Sequence, residues 1–309
     1  MTKEALNFNG ILENCGIGSL SSEDALKKIA LLEDMYSHDD IVSIYNYILL
    51  NVNDADILAG VVRYLDNFKN KATLSILVDI LLLKGVYMDE SDALINLRAL
   101  CAKSISTYKD NSTVSALLYC LNNKNENYKV RLSCADALGR IGDKYAVEPL
   151  IKVLNDDEEK SVYVKESATF ALGLIGDFSA VDSLVSIMET KQGILDKFSF
   201  LKEKVVEALG RIHCNNSKVL KVFKTSLSDA SPIVRINTIE ALMSSDYDEA
   251  PELIRTALHD EDEEVQRNAL IALYNIMGRD ILDEVISLPG YSKFLKEEAQ
   301  NIIDEYEED

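Results

Sequence analysis

The chain has 309 residues, 47% of them hydrophobic and 27% charged, and this composition can supply a large buried core. Its 52 acidic and 32 basic residues give a net charge of −20, which repels nucleic-acid phosphates and anionic membranes and so excludes both as expected partners. Five cysteines without a C-x-x-C pair predict free thiols in a reducing compartment, and the lack of a leader pattern or a long apolar run predicts a cytoplasmic protein.

The first third of the chain shows helical periodicity without a clear repeated phrase. Apolar residues at spacings of three and four predict three helical hairpins, and we expect the first to be a diverged cap. The paired ranges are 23–35 with 40–50, 56–68 with 72–83, and 91–106 with 112–122. Residues 1–124 are therefore interpreted as diverged N-terminal repeats.

One phrase then recurs five times between residues 130 and 272. Its clearest copies begin at Val130-Arg131 and Val164-Lys165, and each continues through an Ala-Leu-Gly triplet to Ile-Gly-Asp. The alanine of the phrase returns after 34, 37, 33 and 31 residues. Such a period accommodates two short helices and two turns, and a repeat of this kind predicts a solenoid.

Each clear copy of the phrase predicts a helical hairpin. In the first copy, an apolar stripe over 130–141 predicts one helix, and a second stripe follows the Gly142-Asp143 turn, with Pro149 early enough to be tolerated. A glycine inside a helix costs roughly 1 kcal/mol relative to alanine. Gly139, Gly173 and Gly210 therefore require a compensating reason, either close helix packing or helix-end geometry.

This phrase resembles the HEAT repeat, in particular its PBS-lyase-type variant, most closely over 130–157 and 164–188. The resemblance implies an all-α fold, an α/α solenoid of about eight helical hairpins. We expect one array over 1–309, with clear repeats at 125–288 and a capping helix and acidic tail at 289–309. Within the final segment, apolar spacing predicts an amphipathic helix over 291–306.

A basic residue follows the opening apolar position of four copies, and acidic residues lie in the turns between copies. The basic residues are Arg131, Lys165, Lys202 and Arg235, and the acidic ones are Asp156 or Asp157, Asp229, and Asp260 or Asp262. In the family that the phrase resembles, such residues form a ladder that bridges neighbouring repeats. The structural role is therefore favoured for this set.

The segment 191–224 is positive, with eight basic and three acidic residues, whereas 246–309 has five basic and nineteen acidic residues. Lys218, Lys221 and Lys224 are spaced by three and face away from the apolar arc of the same predicted helix. Second helices of such hairpins usually line the concave surface. With Arg211, these lysines form either a solvated face, a site for an anionic partner, or an internal match to the acidic C-terminal repeats.

The step into the third copy is longer than the others, and its connecting segment carries Phe198 and Phe200. Loop aromatics can contact a partner, which makes both rings candidates. Alternatively, one of them begins the apolar stripe of the next helix. The sequence leaves these two interpretations open.

Catalytic patterns are sparse. His38, His213 and His259 lie in different repeats, and none has the spacing of a helical metal site. We therefore predict no catalytic, metal or cofactor site and a non-enzymatic scaffold that binds another protein through its concave surface. The alternative implied by the resemblance is a bilin lyase or other chromophore-handling subunit. A nucleic-acid-binding HEAT protein is disfavoured by the charge.

Overall fold

The computed structural model describes residues 6–83, 91–190 and 199–307. Within these ranges every regular element is helical, comprising 18 α-helices and short 3₁₀ turns, without a strand. The fold class is all-α, an α/α solenoid, as predicted. The chain divides into two compact units, Met1–Pro149 and Leu150–Asp309, each a stack of helices.

The first unit contains the helices that the diverged third of the sequence predicted. In chain order they are α1 Phe8–Asn14, α2 Ser22–Ala30, α3 His38–Asn51, α4 Ala55–Leu65, α5 Lys71–Leu81, α6 Asp92–Thr107, α7 Val114–Asn122 and α8 Tyr128–Ile141. The three predicted hairpins correspond to α2–α3, α4–α5 and α6–α7, whereas α1 was not predicted. The next helix, α9 Val147–Asn155, contains the boundary between the units.

Short polar side chains fix where these helices begin. Ser21, Ser37, Asp54 and Ser91 each accept a hydrogen bond from a backbone N–H in the first turn of the following helix. Such caps satisfy donors that have no partner within the helix and contribute about 1 kcal/mol each. They explain why strongly polar turns separate the apolar stripes.

The second unit continues with α10 Val162–Ile175, α11 Val181–Thr190, α12 Ser199–Ile212, α13 Ser217–Ser226, α14 Pro232–Met243, α15 Ala250–Thr256, α16 Glu263–Met277, α17 Asp280–Ser287 and α18 Lys293–Glu307. The first helices of successive hairpins, α10, α12, α14 and α16, pack against one another in that order. The second helices α11 and α13 likewise contact each other. Successive hairpins of this unit therefore stack mainly through their first helices.

The Gly-Asp pairs of the two clearest copies end one helix and begin the next. Gly142 and Gly176 have φ values of 81° and 71°, a left-handed conformation that glycine adopts without a Cβ clash. The carboxylates of Asp143 and Asp177 then accept backbone N–H bonds from the 3₁₀ turn that leads into the second helix. These two residues supply the reversal in each hairpin.

The glycines inside the phrase allow first helices to approach each other closely. A Cβ placed on Gly173 would lie 2.8 Å from the Ala208 Cα, and one on Gly210 would lie 2.7 Å from the Ala241 Cβ. Neither distance is compatible with normal packing. Close helix packing therefore accounts for Gly173 and Gly210. It is one of the two explanations that the sequence left open, the other being helix-end geometry.

The last helix, α18, packs against α16 and α17. Leu295, Ala299 and Ile303 are buried on its inner side, as the apolar spacing predicted. The Arg267 guanidinium on α16 lies over the Phe294 ring at 5.2 Å and pairs with the Glu298 carboxylate at 2.8 Å. Helix α18 thereby covers an apolar face of the final hairpin.

None of the described helices is both long enough and apolar enough to span a bilayer.

Candidate partner-binding surface

Arg235 joins the turns on either side of its own repeat. Its guanidinium donates to the Asp229 carbonyl oxygen in the preceding turn and to the Asp260 carboxylate in the following turn, both at 2.7 Å. Only 5% of Arg235 is exposed. This arrangement is the predicted ladder, and the acidic residue that takes part is Asp260, since Asp262 instead caps α16.

The same position forms equivalent contacts elsewhere in each unit. Lys165 donates to the Asp156 carbonyl oxygen at 2.6 Å, and Lys202 pairs with the Asp229 carboxylate at 2.9 Å. Buried Arg131 donates through Nε to the Leu121 carbonyl oxygen at 2.9 Å. These basic residues hold turns in place, and this role accounts for their repetition.

Two members of the ladder were missed by the sequence analysis. Arg98 on α6 donates to the Leu81 carbonyl oxygen at 2.9 Å and forms a two-pronged pair with the Glu126 carboxylate at 2.8 and 2.5 Å. Gln266 on α16 donates to the Asp260 carbonyl oxygen at 2.6 Å. Both follow a buried apolar residue, Leu97 or Val265, which is the signal that could have identified them.

The lysine row, defined as Lys218, Lys221 and Lys224, lies along the exposed side of α13, as the helical spacing predicted. Val219, Val222 and Phe223 occupy the buried side of this helix. Because α13 is the second helix of its hairpin, the row belongs to the second-helix face of the unit. All three ammonium groups are exposed to solvent.

Each lysine of the row pairs with a carboxylate from a neighbouring element. Lys218 Nζ lies 2.7 Å from Asp182 Oδ1, and Lys221 Nζ lies 3.0 Å from Glu189 Oε1, both acids being on α11. Lys224 pairs with Glu249, just before α15. The row is therefore internally matched on both sides, mainly by acids that the sequence analysis did not select.

The acidic C-terminal region contributes to the same face. Glu252 on α15 and Asp280 and Asp283 on α17 are exposed. Other acids of this region are held within the fold: Glu284 accepts from Arg255 at 2.5 Å and from the Tyr291 hydroxyl at 2.7 Å. The second-helix face thus presents acids on α11, lysines on α13 and acids again on α15 and α17.

Two further candidates lie apart from the lysine row. Arg211 and Phe200 are both on α12, a first helix, and Phe200 occupies its first turn rather than a loop. Phe200 is 65% exposed, so it does not begin the apolar stripe, which starts at the buried Leu201. The Arg211 guanidinium pairs with the Glu207 carboxylate at 3.0 Å. Phe198 lies outside the described residues.

The histidines lie at separate helix ends, and the ring Nδ1 of His213 lies 3.1 Å from the Ser244 carbonyl oxygen. Within residues 6–83, 91–190 and 199–307, no group of three or more His, Cys, Asp or Glu side chains is placed to hold a metal ion. The five cysteines are free, and four of them are buried. The described residues therefore present a charged surface on a frame of stacked helices.

The stacked helical hairpins define a helical-repeat protein of the α/α solenoid class, with ion pairs along its second-helix face. The HEAT-repeat family model matches residues 87–172, 114–199, 194–274 and 220–288, which together exceed half of the chain. The chain therefore belongs to the HEAT-repeat family, and the resemblance inferred from the phrase is confirmed. No curated protein matches the sequence.

Solved structures resemble the chain in fold. A structure of Kap95p with RanGDP aligns with a TM-score of 0.62 at 14% identity, covering 98% of this chain and 47% of that one. YibA from E. coli aligns at 0.51 and 13% identity, covering 97% and 98%. The CpcE–CpcF phycocyanin lyase complex from Nostoc sp. PCC7120 aligns at 0.50 and 21% identity, covering 77% and 96%. At these identities the likeness concerns the fold alone.

Proposed function

We propose that the protein is a non-enzymatic scaffold that binds another protein through its second-helix face, the concave side in HEAT arrays. The observation that carries the proposal is the lysine row on α13, three exposed ammonium groups aligned on one rigid helix. An acidic segment of a partner fits this row, and a basic segment fits the exposed acids of α15 and α17.

The ion pairs already present on this face do not prevent such binding. Both members of each pair, Lys218–Asp182, Lys221–Glu189 and Lys224–Glu249, are exposed. Exposed pairs of this kind contribute only about 0 to 1 kcal/mol each. An incoming carboxylate can therefore replace Asp182, Glu189 or Glu249 at low cost, while the existing pairs keep the lysine side chains extended in a row.

Charge reversal tests the proposal. Replacing Lys218, Lys221 and Lys224 with Glu should weaken capture of the partner from the native host, measured by quantitative mass spectrometry, and the wild-type signal should fall as salt is raised. A matched control reverses Lys27, Lys160 and Lys293, which are exposed and lie outside the second helices of the hairpins. Equal capture by the two triple variants, each with native helical content, would contradict the role proposed for the lysine row.

A chromophore-handling role is the second hypothesis. It is supported by the fold shared with the CpcE–CpcF phycocyanin lyase complex, at 21% identity. Coexpression with a bilin and a phycobiliprotein acceptor separates the two hypotheses. A coloured covalent product would favour this role, and its absence across several acceptors would favour the scaffold.

A further inference from the structure

A row of exposed apolar side chains recurs in register along the first helices of the second unit. Tyr163, Phe200 and Ile233 each stand immediately before the buried residue that opens a repeat, in the first turn of α10, α12 and α14. They are 59%, 65% and 51% exposed. Single exposed apolar residues are common, but three at one repeat position on adjoining helices form a patch, and patches of this kind mark binding surfaces.

The helices that carry this row are held in register. The Asn237 side-chain amide on α14 donates to the Glu203 carbonyl oxygen on α12 at 3.3 Å, close to Phe200 and Ile233. On the other side of α12, Lys204 lies over the Phe170 ring of α10 at 5.3 Å. The apolar row therefore lies on a fixed surface, which we call the outer face because it is formed by first helices alone.

A groove of about 480 Å³ lies on the same face between α12 and α14. Gly210 and Ala241 form its floor, where the two backbones approach too closely for a Cβ on Gly210. The other residues that line it are Glu207, Arg211, His213, Asn237, Glu240 and Ser244. Residues seven positions apart share one side of a helix, which places Glu207 below Phe200 and Glu240 below Ile233. The apolar row and the groove therefore lie on the same side of α12 and α14.

The charges around this surface are unevenly matched. Lys204 and Arg211 both pair with the Glu207 carboxylate, at 2.8 and 3.0 Å. Both cations also lie over the Phe170 ring, at 5.3 and 5.8 Å, so their charges are already engaged. Glu240 is exposed, and the structure places no cation of the described residues within ion-pair distance of its carboxylate. The groove therefore has room and charge for a cation.

We propose that the outer face binds a basic amphipathic helix of a partner protein. Adjacent first helices pack about 8 to 10 Å apart, so Tyr163, Phe200 and Ile233 follow one another at roughly that interval. Residues seven apart on an α-helix are separated by about 10.5 Å along its axis. A helix laid across α10, α12 and α14 can thus place an apolar side chain on each member of the row, while a Lys or Arg beside the stripe reaches Glu240.

This surface is independent of the lysine row, which lies on second helices and is suited to an acidic segment. The two sites differ in charge, in location and in the residues that form them. A scaffold with both surfaces can hold two partners together, or two segments of one partner. The inference does not depend on the proposed function, because no residue of the lysine row takes part in it.

The test uses three synthetic helical peptides of equal length, with binding measured by isothermal titration calorimetry. The first has leucines at seven-residue intervals flanked by lysines, the second is a scramble of the first, and the third replaces the lysines with glutamates. Wild-type protein should bind the first at least about tenfold more tightly than the second, equivalent to about 1.4 kcal/mol. The wild-type protein should bind the third peptide, which carries glutamates, more weakly than the first.

Two variants locate the site. Replacing Phe200 and Ile233 with Ser should abolish the preference for the first peptide without lowering the melting temperature, because both side chains are exposed. Glu240→Lys should transfer the preference to the glutamate peptide. The variant with Lys218, Lys221 and Lys224 reversed should bind the first peptide as wild type does, so failure of one surface is distinguishable from failure of the other.

The proposal is overturned if the leucine peptide and its scramble bind equally, or if the Phe200 and Ile233 variant retains the preference. Light scattering measures the mass of the protein in solution and so tests whether a second copy of this chain occupies the outer face. Self-association that disappears when Phe200 and Ile233 are replaced would assign the outer face to a dimer contact and would also overturn the proposal. A monomeric wild-type protein that prefers the leucine peptide supports it.

Discussion

Arg235 and Asp260 form a two-repeat bridge, in which the Arg235 guanidinium on α14 lies 2.7 Å from the carboxylate of Asp260 in the turn before α16. Both side chains are nearly buried. The same guanidinium also donates to the Asp229 carbonyl oxygen, so one residue fixes two turns. A charge removed from such a site leaves its partner buried without compensation.

Replacing Arg235 with Met should therefore lower the free energy of unfolding by about 3 kcal/mol, measured by urea denaturation. The matched control is Lys293→Met, since Lys293 is 90% exposed in its pair with Glu297. That change should cost less than about 0.5 kcal/mol. Similar losses in the two variants would show that the bridge does not support the fold.

Gly210→Ala should destabilise the second unit even though alanine favours helices. The added methyl group would lie 2.7 Å from the Ala241 Cβ and force α12 and α14 apart, at a cost of about 1 to 3 kcal/mol. Adding Ala241→Gly should recover part of the loss in thermal denaturation. The control Gly290→Ala meets open space and should be neutral. A stabilised Gly210→Ala protein would contradict the close approach.

Glu166 should make stability depend on pH. Burial raises the pKa of this carboxyl, an effect that Lys204 opposes and Glu203 reinforces. The charged form is therefore disfavoured in the folded state, and Glu166→Gln should stabilise the protein at neutral pH. This gain should shrink as the pH falls through the raised pKa, because Glu166 is then neutral as well. Urea denaturation at several pH values measures it, with Glu297→Gln as the exposed control.

Cysteine reactivity should report which thiols are accessible. Cys214 is partly exposed, whereas Cys15, Cys101, Cys120 and Cys134 are buried. Burial also raises the pKa of the Cys101 and Cys134 thiols, which suppresses the reactive thiolate. In the native protein Ellman's reagent should modify Cys214 first, and the other four only on unfolding. Fast modification of two or more thiols in the native state would contradict the burial pattern.

The fold was largely predictable because apolar spacing and polar turns act locally. The prediction of a helix over 40–50 corresponds to α3, His38–Asn51, and the predicted final helix corresponds to α18. The orientation of the lysine row followed from the helical period alone. The resemblance to HEAT repeats implied that Arg235 bridges neighbouring repeats, and the recurrence of a basic residue at its position favoured a structural role.

The contacts of the candidate surfaces were less accessible to sequence reasoning, because they join elements far apart in the chain. Asp182 and Glu189 pair with the lysine row across more than thirty positions, and no local pattern indicates which acids face it. Phe200 was ambiguous because periodicity does not locate the first turn of a helix. The row of Tyr163, Phe200 and Ile233 becomes visible only when exposure is compared at one repeat position.

The ladder also constrains how this architecture can change in length. Because Arg235 is anchored to the turn behind it and to the turn ahead, inserting or deleting part of a hairpin would misalign a guanidinium with its carboxylate. Gain or loss of an entire hairpin, by contrast, re-creates an equivalent junction. Duplication and excision of whole hairpins are thus the increments by which such a chain can lengthen or shorten while every bridge is kept.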